Sequence, residues 1–461
     1  MKARCRTVGG VTNPIDELNA NVKGEVITAD DAGYDRAREV YLARFDRRPL
    51  AIVRAAQTDD IAYVVSLARE TGIDLAVRSG GHGSAGHGVC DGGIVLDLAG
   101  LKDLDIDVAS RTAWAGAGLT AGEYTTAAHA HGLATGFGDS GAVGLGGITL
   151  GGGIGYLSRK HGLTIDSLLA AELVTADGEL LRVDAESHPD LFWAIRGGGG
   201  NFGVATQFQY RLHEVGQVLG GMLVLPATRD VITSFVDEAL AAPAELSTIA
   251  NVMTAPPMPF LPPEVHGQLV VLAMLVWAGE LDEGNRAIAP FRAMATPLVD
   301  LIHPMPYPEL YPPEDPNHRP VASARNLFLD RVDEAAADTI LEYLSSSKAM
   351  MRVAQLRPLG GAIARVPVGA TAYAHRRSPV MANLAAVYGD VAEAPSYDTW
   401  VDEFAGALRQ DDPGAYVNFV GDEGEAGVRA AYPGETWDRL VEVKRRHDPT
   451  NVFHVNQNIV P

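Results

Sequence analysis

Glycine is crowded into one part of this chain. More than half of its 50 glycines fall between Gly80 and Gly203, in three clusters. The first is Arg78-Ser79-Gly80-Gly81-His82-Gly83, followed by Gly86, Gly88, Gly92 and Gly93. The second runs from Val143-Gly144-Leu-Gly146-Gly147 to Gly151-Gly152-Gly153-Ile-Gly155, and the third is Arg196 to Gly203. The stretches between them are strongly patterned, so low complexity does not explain the bias. Glycine lets backbone approach a ligand closely and adopt positive φ. Three such loops suit a long, doubly phosphorylated cofactor with backbone N–H groups facing its pyrophosphate. None carries the lysine of a P-loop, which disfavours nucleoside triphosphates.

The glycine loops sit in a mixed pattern. Thr58 is placed to cap a helix with Ile61, Val64, Val65 and Ala68 on one face, stopped by Gly72. Ile73, Leu75 and Val77 then alternate as a half-buried strand ending at Arg78, and Ile94–Leu98 is a second strand. Thr120 and Glu123 have the spacing of a capping box. Leu173–Thr175 and Leu180–Val183 flank a turn and read as a hairpin, and Gly203–Leu212 alternates as a closing strand. Beyond residue 216 glycine thins and long apolar runs appear, such as 268–277, interrupted by proline-rich stretches at Pro256–Pro263 and Pro304–Pro320. Near the end, Trp437, Leu440, Val441 and Lys444 mark a helix, and a polar tail holds Asn456-Gln-Asn458.

Composition removes several function classes. The 461 residues carry 37 Lys plus Arg against 58 Asp plus Glu, a formal charge of −21, which repels a nucleic-acid backbone. Lys444-Arg445-Arg446, the one dense basic run, reads as a solvated helix face. Two cysteines, Cys5 and Cys90, build no disulfide framework or iron–sulfur site. The opening residues lack an apolar signal segment, and the longest apolar run is far short of the ~20 residues a membrane helix needs. A soluble, cytoplasmic protein is the expectation, with secretion still open.

Short motifs need weighing. Gly136-Phe-Gly138-Asp-Ser-Gly141 fits GxGxxG, but no buried strand and βαβ unit surround it. Gly138-Asp-Ser-Gly141 with Ala127-Ala-His129 copies serine-protease boxes, yet His129 and Ser140 stand too close in sequence for a triad built from distant segments. His82 and His87 have no accompanying HExxH or carboxylate pattern, so no metal site is expected.

What remains is Arg78-Ser79-Gly80-Gly81-His82 after a strand, Val143-Gly-Leu-Gly-Gly147, and Asp448-Pro-Thr-Asn-Val-Phe453 with Asn456-Gln-Asn-Ile459. In these residues the chain resembles the FAD-linked oxidases of the vanillyl-alcohol oxidase superfamily, most closely the berberine-bridge-enzyme-like branch. The resemblance implies an α+β fold: an N-terminal segment (1–44), a PCMH-type FAD-binding domain of two α+β subdomains (45–215), a substrate domain with an antiparallel sheet covered by helices (216–410), and a C-terminal segment returning to the FAD domain (411–461). It implies FAD joined by one 8α bond to His82. Relatives add a cysteinyl bond at the position of Ser140, so none is expected here. Cofactor-binding positions carried over are Arg78, Ser79, Gly80, Gly81, His82, Gly83, Ser140, Val143, Gly144, Gly146, Gly147, Gly152, Gly153, Gly155, Val204, Tyr416, Asn418 and Asn456. Val143 aligns with a position that influences access of O₂.

Tyr416-Val-Asn418 resembles the family's Y-x-N motif, whose tyrosine lies over the flavin and acts as base; a core tyrosine bonded to backbone is the alternative. The acidic partner of many relatives, on a strand after a Gly-Gly pair, is missing at Gly360-Gly361, and Arg365 stands near its place. Tyr373 and His375 are substitutes or structural residues. Tyr307, Tyr311, His318 and Arg319 are candidate substrate contacts. The activity implied is an FAD-dependent oxidase taking hydride from an alcohol (a sugar, glycoside or other natural product), with O₂ reoxidation to H₂O₂. An amine oxidase or oxidative cyclase, and a flavin-binding protein without turnover, are the alternatives. Oligomeric state is not readable.

Overall fold

The computed structural model describes residues 13–311, 313–315 and 317–461; Cys5 lies outside them. Four strands come first: β1 (Glu25–Ile27), β2 (Ala51–Arg54), β3 (Leu75–Arg78) and β4 (Ile94–Asp97), in the spatial order β1-β2-β4-β3. Strands β2 and β3 run parallel to β4, and β1 is antiparallel to β2. The helix Thr58–Thr71 lies against this sheet and ends where Gly72 turns left-handed at φ +71°. Thr58 is its first helical residue rather than its cap. The Asp60 carboxylate instead reaches back to the N–H groups of Ala56, Lys23 and Gly24. Strand β3 is not half-buried either. Leu75 packs into one core with Ile61 and Leu96, while Ala76 packs into another with Ile52 and Val89. A parallel strand covered on both faces loses its polar side.

A second, antiparallel sheet follows. Its strands are β5 (Leu104–Asp107), β6 (Thr112–Gly116), β8 (Leu168–Val174), β9 (Leu180–Asp184) and β10 (Val204–Arg211), in the order β5-β6-β10-β8-β9; β7 (Leu133–Ala134) and β11 (His213–Glu214) pair separately. The predicted hairpin is β8–β9. The predicted closing strand β10 closes the unit in sequence but occupies its centre. The capping box forms as read: Thr120 Oγ1 accepts from the Glu123 N–H, and the Glu123 carboxylate accepts from the Thr120 N–H.

The third sheet holds β12 (Gln217–Pro226), β13 (Leu246–Thr254), β14 (Leu269–Trp277), β15 (Val299–Asp300), β17 (Val321–Leu329), β18 (Met351–Pro358) and β19 (Val380–Tyr388), in the order β15-β12-β14-β13-β18-β19-β17, with β16 (His303–Pro306) also paired to β12. Every pairing is antiparallel. One face is apolar and packs on the helices Arg229–Ala241, Leu281–Ala293, Glu334–Ser346 and Ala394–Leu408. Alternation turns Ser247, Ile249 and Asn251 of β13, with Gln355 and Arg357 of β18, to the opposite face. The whole is an α+β protein. The stretch after Gly360-Gly361, expected as a strand, is a helical turn (Ala362–Arg365) with Arg365 exposed. Among the described residues no helix is long and apolar enough to cross a membrane.

After the third sheet the chain returns to the first unit. Val417, Tyr432, Leu440 and Phe453 share a core with Leu75, Leu96 and Phe202. The helix Glu435–His447 forms as expected, but Lys444 is not on a solvated face. Its ammonium is fully buried and donates to the carboxylate of Asp448 (2.7 Å) and to the carbonyls of Asn201 (2.9 Å) and Phe453 (2.8 Å). The Asp448 carboxylate also accepts from the N–H groups of Val452 and Phe453. Removing one partner of such a pair strands the other charge in the interior. Lys444→Met is therefore expected to lower unfolding free energy by about 3–5 kcal/mol, read from chemical denaturation; a loss below ~1 kcal/mol would mean the pair is dispensable.

Candidate functional site

A cavity of about 300 Å³ runs along the seam between these units. Its walls are the three glycine loops, the Tyr416–Val420 segment and the tail at Phe453–Gln457. The first two loops interlock. A Cβ on Gly80 would stand 2.3 Å from the backbone nitrogen of Gly144, and a Cβ on Gly144 would stand 2.3 Å from that of Gly80. Ser79 tightens the junction, donating to the Ala117 carbonyl and accepting from the Gly146 N–H. Gly83, Gly147 and Gly200 behave differently: a Cβ there would meet no protein atom within 4 Å. At these positions glycine leaves space beside the cavity. The tail adds a polar wall, where the Asn456 Oδ1 is buried without a partner among the described groups while its amide nitrogen donates to Gly200 and Phe453. A cleft walled by three glycine loops, room kept by glycines and an orphaned acceptor fit a dinucleotide such as FAD.

The other predicted positions divide. Gly81, His82, Val143, Val204 and Asn418 line the cavity. Arg78 also lines it, but its guanidinium is committed to Asp97 (2.9 Å) and to the carbonyls of Ala37 and Glu39. Gly152, Gly153 and Gly155 are absent from its walls. A Cβ on Gly153 would lie 1.9 Å from Thr164 Oγ1, and one on Gly155 would lie 2.1 Å from the Phe137 carbonyl. These glycines serve packing of the protein against itself. Ser140 is not among the lining residues and donates to the Glu314 carboxylate at 2.6 Å. Tyr373 lies in an apolar cluster with Leu163, Phe328 and Met381; its ring stands edge-on to Tyr416, and its buried hydroxyl has no partner among the described groups. His375 stacks on Phe328 and bonds the Ala431 carbonyl. Tyr307 and Tyr311 bond each other, and Tyr311 donates to the Gly138 carbonyl; His318 and Arg319 line an adjoining recess with Tyr41 and Glu314, which shares His82 with the cavity.

Two side chains stand out at the cavity. His82 stacks on Tyr41, ring centroids 4.4 Å apart, and burial pulls its pKa below the usual imidazole range. Tyr416 is buried, and its oxygen accepts two hydrogen bonds at 2.8 Å, from the Gly153 N–H and from Asn418 Nδ2. A hydroxyl with both acceptor sites filled has only its proton left to offer. Burial pushes its pKa up to about 12, against the opposite pull of the Gly153 and Asn418 donors and of the Arg357 charge.

Arg357 is the residue that sequence reasoning missed. It sits at the end of a relay on the third sheet: Asn251 donates to the Leu272 carbonyl, Gln355 to Asn251, and Arg357 Nε to Gln355 at 2.8 Å. Its Nη2 then donates to the Asp139 carboxylate at 2.6 Å, and its guanidinium stands 5.3 Å from the Phe419 ring centre. Asp139 lines the cavity. The signal was visible as polar residues at 355 and 357, two apart on a strand that also carries Arg352, but nothing local says which face they share.

Residues 49–184 match the family described as FAD binding domain, and residues 415–460 match the family described as berberine and berberine like. The chain is 30% identical over 457 residues to (R)-6-hydroxynicotine oxidase of Paenarthrobacter nicotinovorans, covering 96% of this chain and 97% of that one. The crystal structure of 6-hydroxy-D-nicotine oxidase from Arthrobacter nicotinovorans superposes with a TM-score of 0.86 at 28% identity, covering 95% of this chain and 98% of that one. Xylooligosaccharide oxidase from Myceliophthora thermophila, in complex with xylobiose, gives a TM-score of 0.85 at 25% identity, covering 97% and 99%. With the glycine-walled cavity and the returning C-terminal segment, these likenesses place the chain in the berberine-bridge-like family of FAD-linked oxidases, and the protein is an FAD-dependent oxidoreductase.

Proposed function

We propose that the protein is an oxidase of an alcohol on a sugar, glycoside or other natural product. The observation that carries this reading is Tyr416, a buried phenol whose oxygen is met by two N–H donors and a nearby guanidinium. Those three groups favour the phenolate, the form able to act as a base, against the burial that disfavours it. FAD, when bound, supplies the hydride acceptor and the route of the electrons to O₂, with H₂O₂ as product. The chain's own part is to orient the carbinol carbon and, with Tyr416 ionised, to take the hydroxyl proton on the lone pair that ionisation leaves free at Tyr416 Oη. Asn418 and Gly153 hold that oxygen in place, and Arg357 with Asp139 presents a polar edge to the substrate.

His82 is proposed as the single covalent anchor of FAD. Its lowered pKa keeps the imidazole neutral near pH 7, with a nitrogen lone pair free to form the 8α bond. Stacking on Tyr41 limits its rotation. A second reading, oxidation of an alkaloid-like amine, is supported by the full-length likeness to (R)-6-hydroxynicotine oxidase. Amine oxidation draws less on a base, and that difference separates the two.

Acid precipitation of the holoenzyme is expected to leave the yellow colour in the pellet, and His82→Ala to release it to the supernatant. Colour in the supernatant of the natural protein would remove the covalent bond from the reading.

Tyr416→Phe is expected to slow reduction of the bound flavin by an alcohol about 10²–10⁴-fold in stopped-flow absorbance. Because the phenol is held protonated, with its pKa near 12, the rate should climb as pH rises from 7 toward 10, and this slope should vanish in the variant. Near-normal reduction by Tyr416→Phe would end the base role, and the same result with an amine alone as reductant would favour the second reading.

A further inference from the structure

Behind Arg357 lies a second, much smaller cavity of about 20 Å³, at the junction of the Ser158–His161 turn with strands β13 and β18. Its lining residues are all buried, and no carboxylate is among them. Three hydrogen-bond donors of its lining residues find no acceptor among the described groups: Arg159 Nε, Arg357 Nη1 and Ser247 Oγ. Thr248 Oγ1 is also unpartnered, but strand alternation turns it to the helix-covered face of the sheet, so it is not counted.

The charges around this cavity do not balance. Arg357 has Asp139 as its counter-ion on the side facing the FAD cavity. Arg159 has none among the described residues: Nη1 donates to the Leu359 carbonyl and Nη2 to the Ala242 carbonyl, both at 2.7 Å. Burial accordingly pulls its pKa down with no opposing partner. A buried guanidinium met only by neutral carbonyls is left with uncompensated charge.

The volume admits one small particle, since a water needs roughly 10–15 Å³ of such space. A water offers only two lone pairs to these three donors and carries no charge. A halide accepts from all three at once and supplies the negative charge that Arg159 lacks. We propose that this cavity is a binding site for one small monovalent anion of the size of chloride, held by Arg159, Arg357 and Ser247. Bound there, the anion fixes Arg357 from behind while Asp139 and Gln355 hold it from the front. The site is independent of which substrate the enzyme oxidises and of how FAD is attached.

The test uses the holoenzyme. Crystals grown in sodium bromide should show an anomalous peak in this cavity, within contact distance of the two guanidiniums and the Ser247 hydroxyl. In solution, the thermal midpoint should rise with chloride by about 1–2 °C per tenfold step above its dissociation constant, relative to gluconate at matched ionic strength. Ser247→Val, which removes one donor and fills part of the space, should abolish the difference between chloride and gluconate. A cavity without bromide signal, together with identical midpoints in the two salts, would mean that water serves these donors and would overturn the proposal. A full chloride response retained in Ser247→Val would overturn it as well.

Discussion

The buried pair of Lys444 and Asp448 is the joint on which the cofactor cavity depends. All three ammonium protons of Lys444 are used, one on Asp448 and two on the carbonyls of Asn201 and Phe453. Asn201 belongs to the third glycine loop, and Phe453 opens the tail. From that joint the tail is laid down by further bonds. Asn201 donates to the Gln457 carbonyl and accepts from the Ile459 N–H, while Gln457 donates to the carbonyls of Val420 and Gly421. Val420 closes the segment that begins at Tyr416. A single desolvated ion pair thus links one glycine loop, the C-terminal tail and the tyrosine over the cavity. Burying two charges is favourable only when every donor and acceptor is met, and here they are.

The eight-stranded sheet gives the cavity its chemistry by being two-faced. Its outer face is apolar and closed by helices. Its inner face carries a relay from Asn251 through Gln355 to Arg357 and Asp139, in which each side chain is oriented by the next. Polar groups half-satisfied in an interior are costly, and fully connected ones rigidify it. Among the described groups the relay is satisfied along its length except at one atom, Arg357 Nη1, and Arg357 also lines the small cavity beside Arg159. One side chain therefore serves two sites, with Asp139 and the FAD cavity on one side and the proposed anion on the other.

Local rules carried sequence reading a long way. The Thr120–Glu123 box, the β8–β9 hairpin, the helix stopped by Gly72 and the amphipathic helix near the end all rest on contacts within a few residues, and all formed. The clustering of glycine pointed correctly to a cofactor cleft, yet it could not separate glycines that leave space, such as Gly147 and Gly200, from those that let the chain pack on itself, such as Gly153 and Gly155. That distinction depends on Thr164 and Phe137, which arrive from elsewhere. Lys444 misled for the same reason: a lysine followed by two arginines reads as a wet helix face until Asn201, more than 200 residues earlier, is brought beneath it. The Asp139–Arg357 pair, likewise far apart in sequence, depends on the docking of the third sheet over the first unit.

Tyr416 shows how these long-range placements become chemistry. Burial alone favours the neutral phenol strongly, because a phenolate in an apolar cluster with Leu163, Phe328 and Met381 would be poorly solvated. The Gly153 N–H, the Asn418 amide and the Arg357 charge pull the other way, and the balance settles near 12 rather than far above it. Tyr373, in the same cluster but without donors to its oxygen, has its pKa raised further still. Two tyrosines six ångströms apart thus differ in acidity: donors meet one oxygen, while the other has none among the described groups and is pushed up further by the neighbouring Tyr416. Each of those donors is set by a glycine or a sheet position remote in sequence: Gly151, where a Cβ would collide with the Asn418 amide; Gly153, which supplies the N–H; and β18, which delivers Arg357. The acidity of the phenol is therefore a property of the assembled seam and not of the Tyr-x-Asn motif by itself.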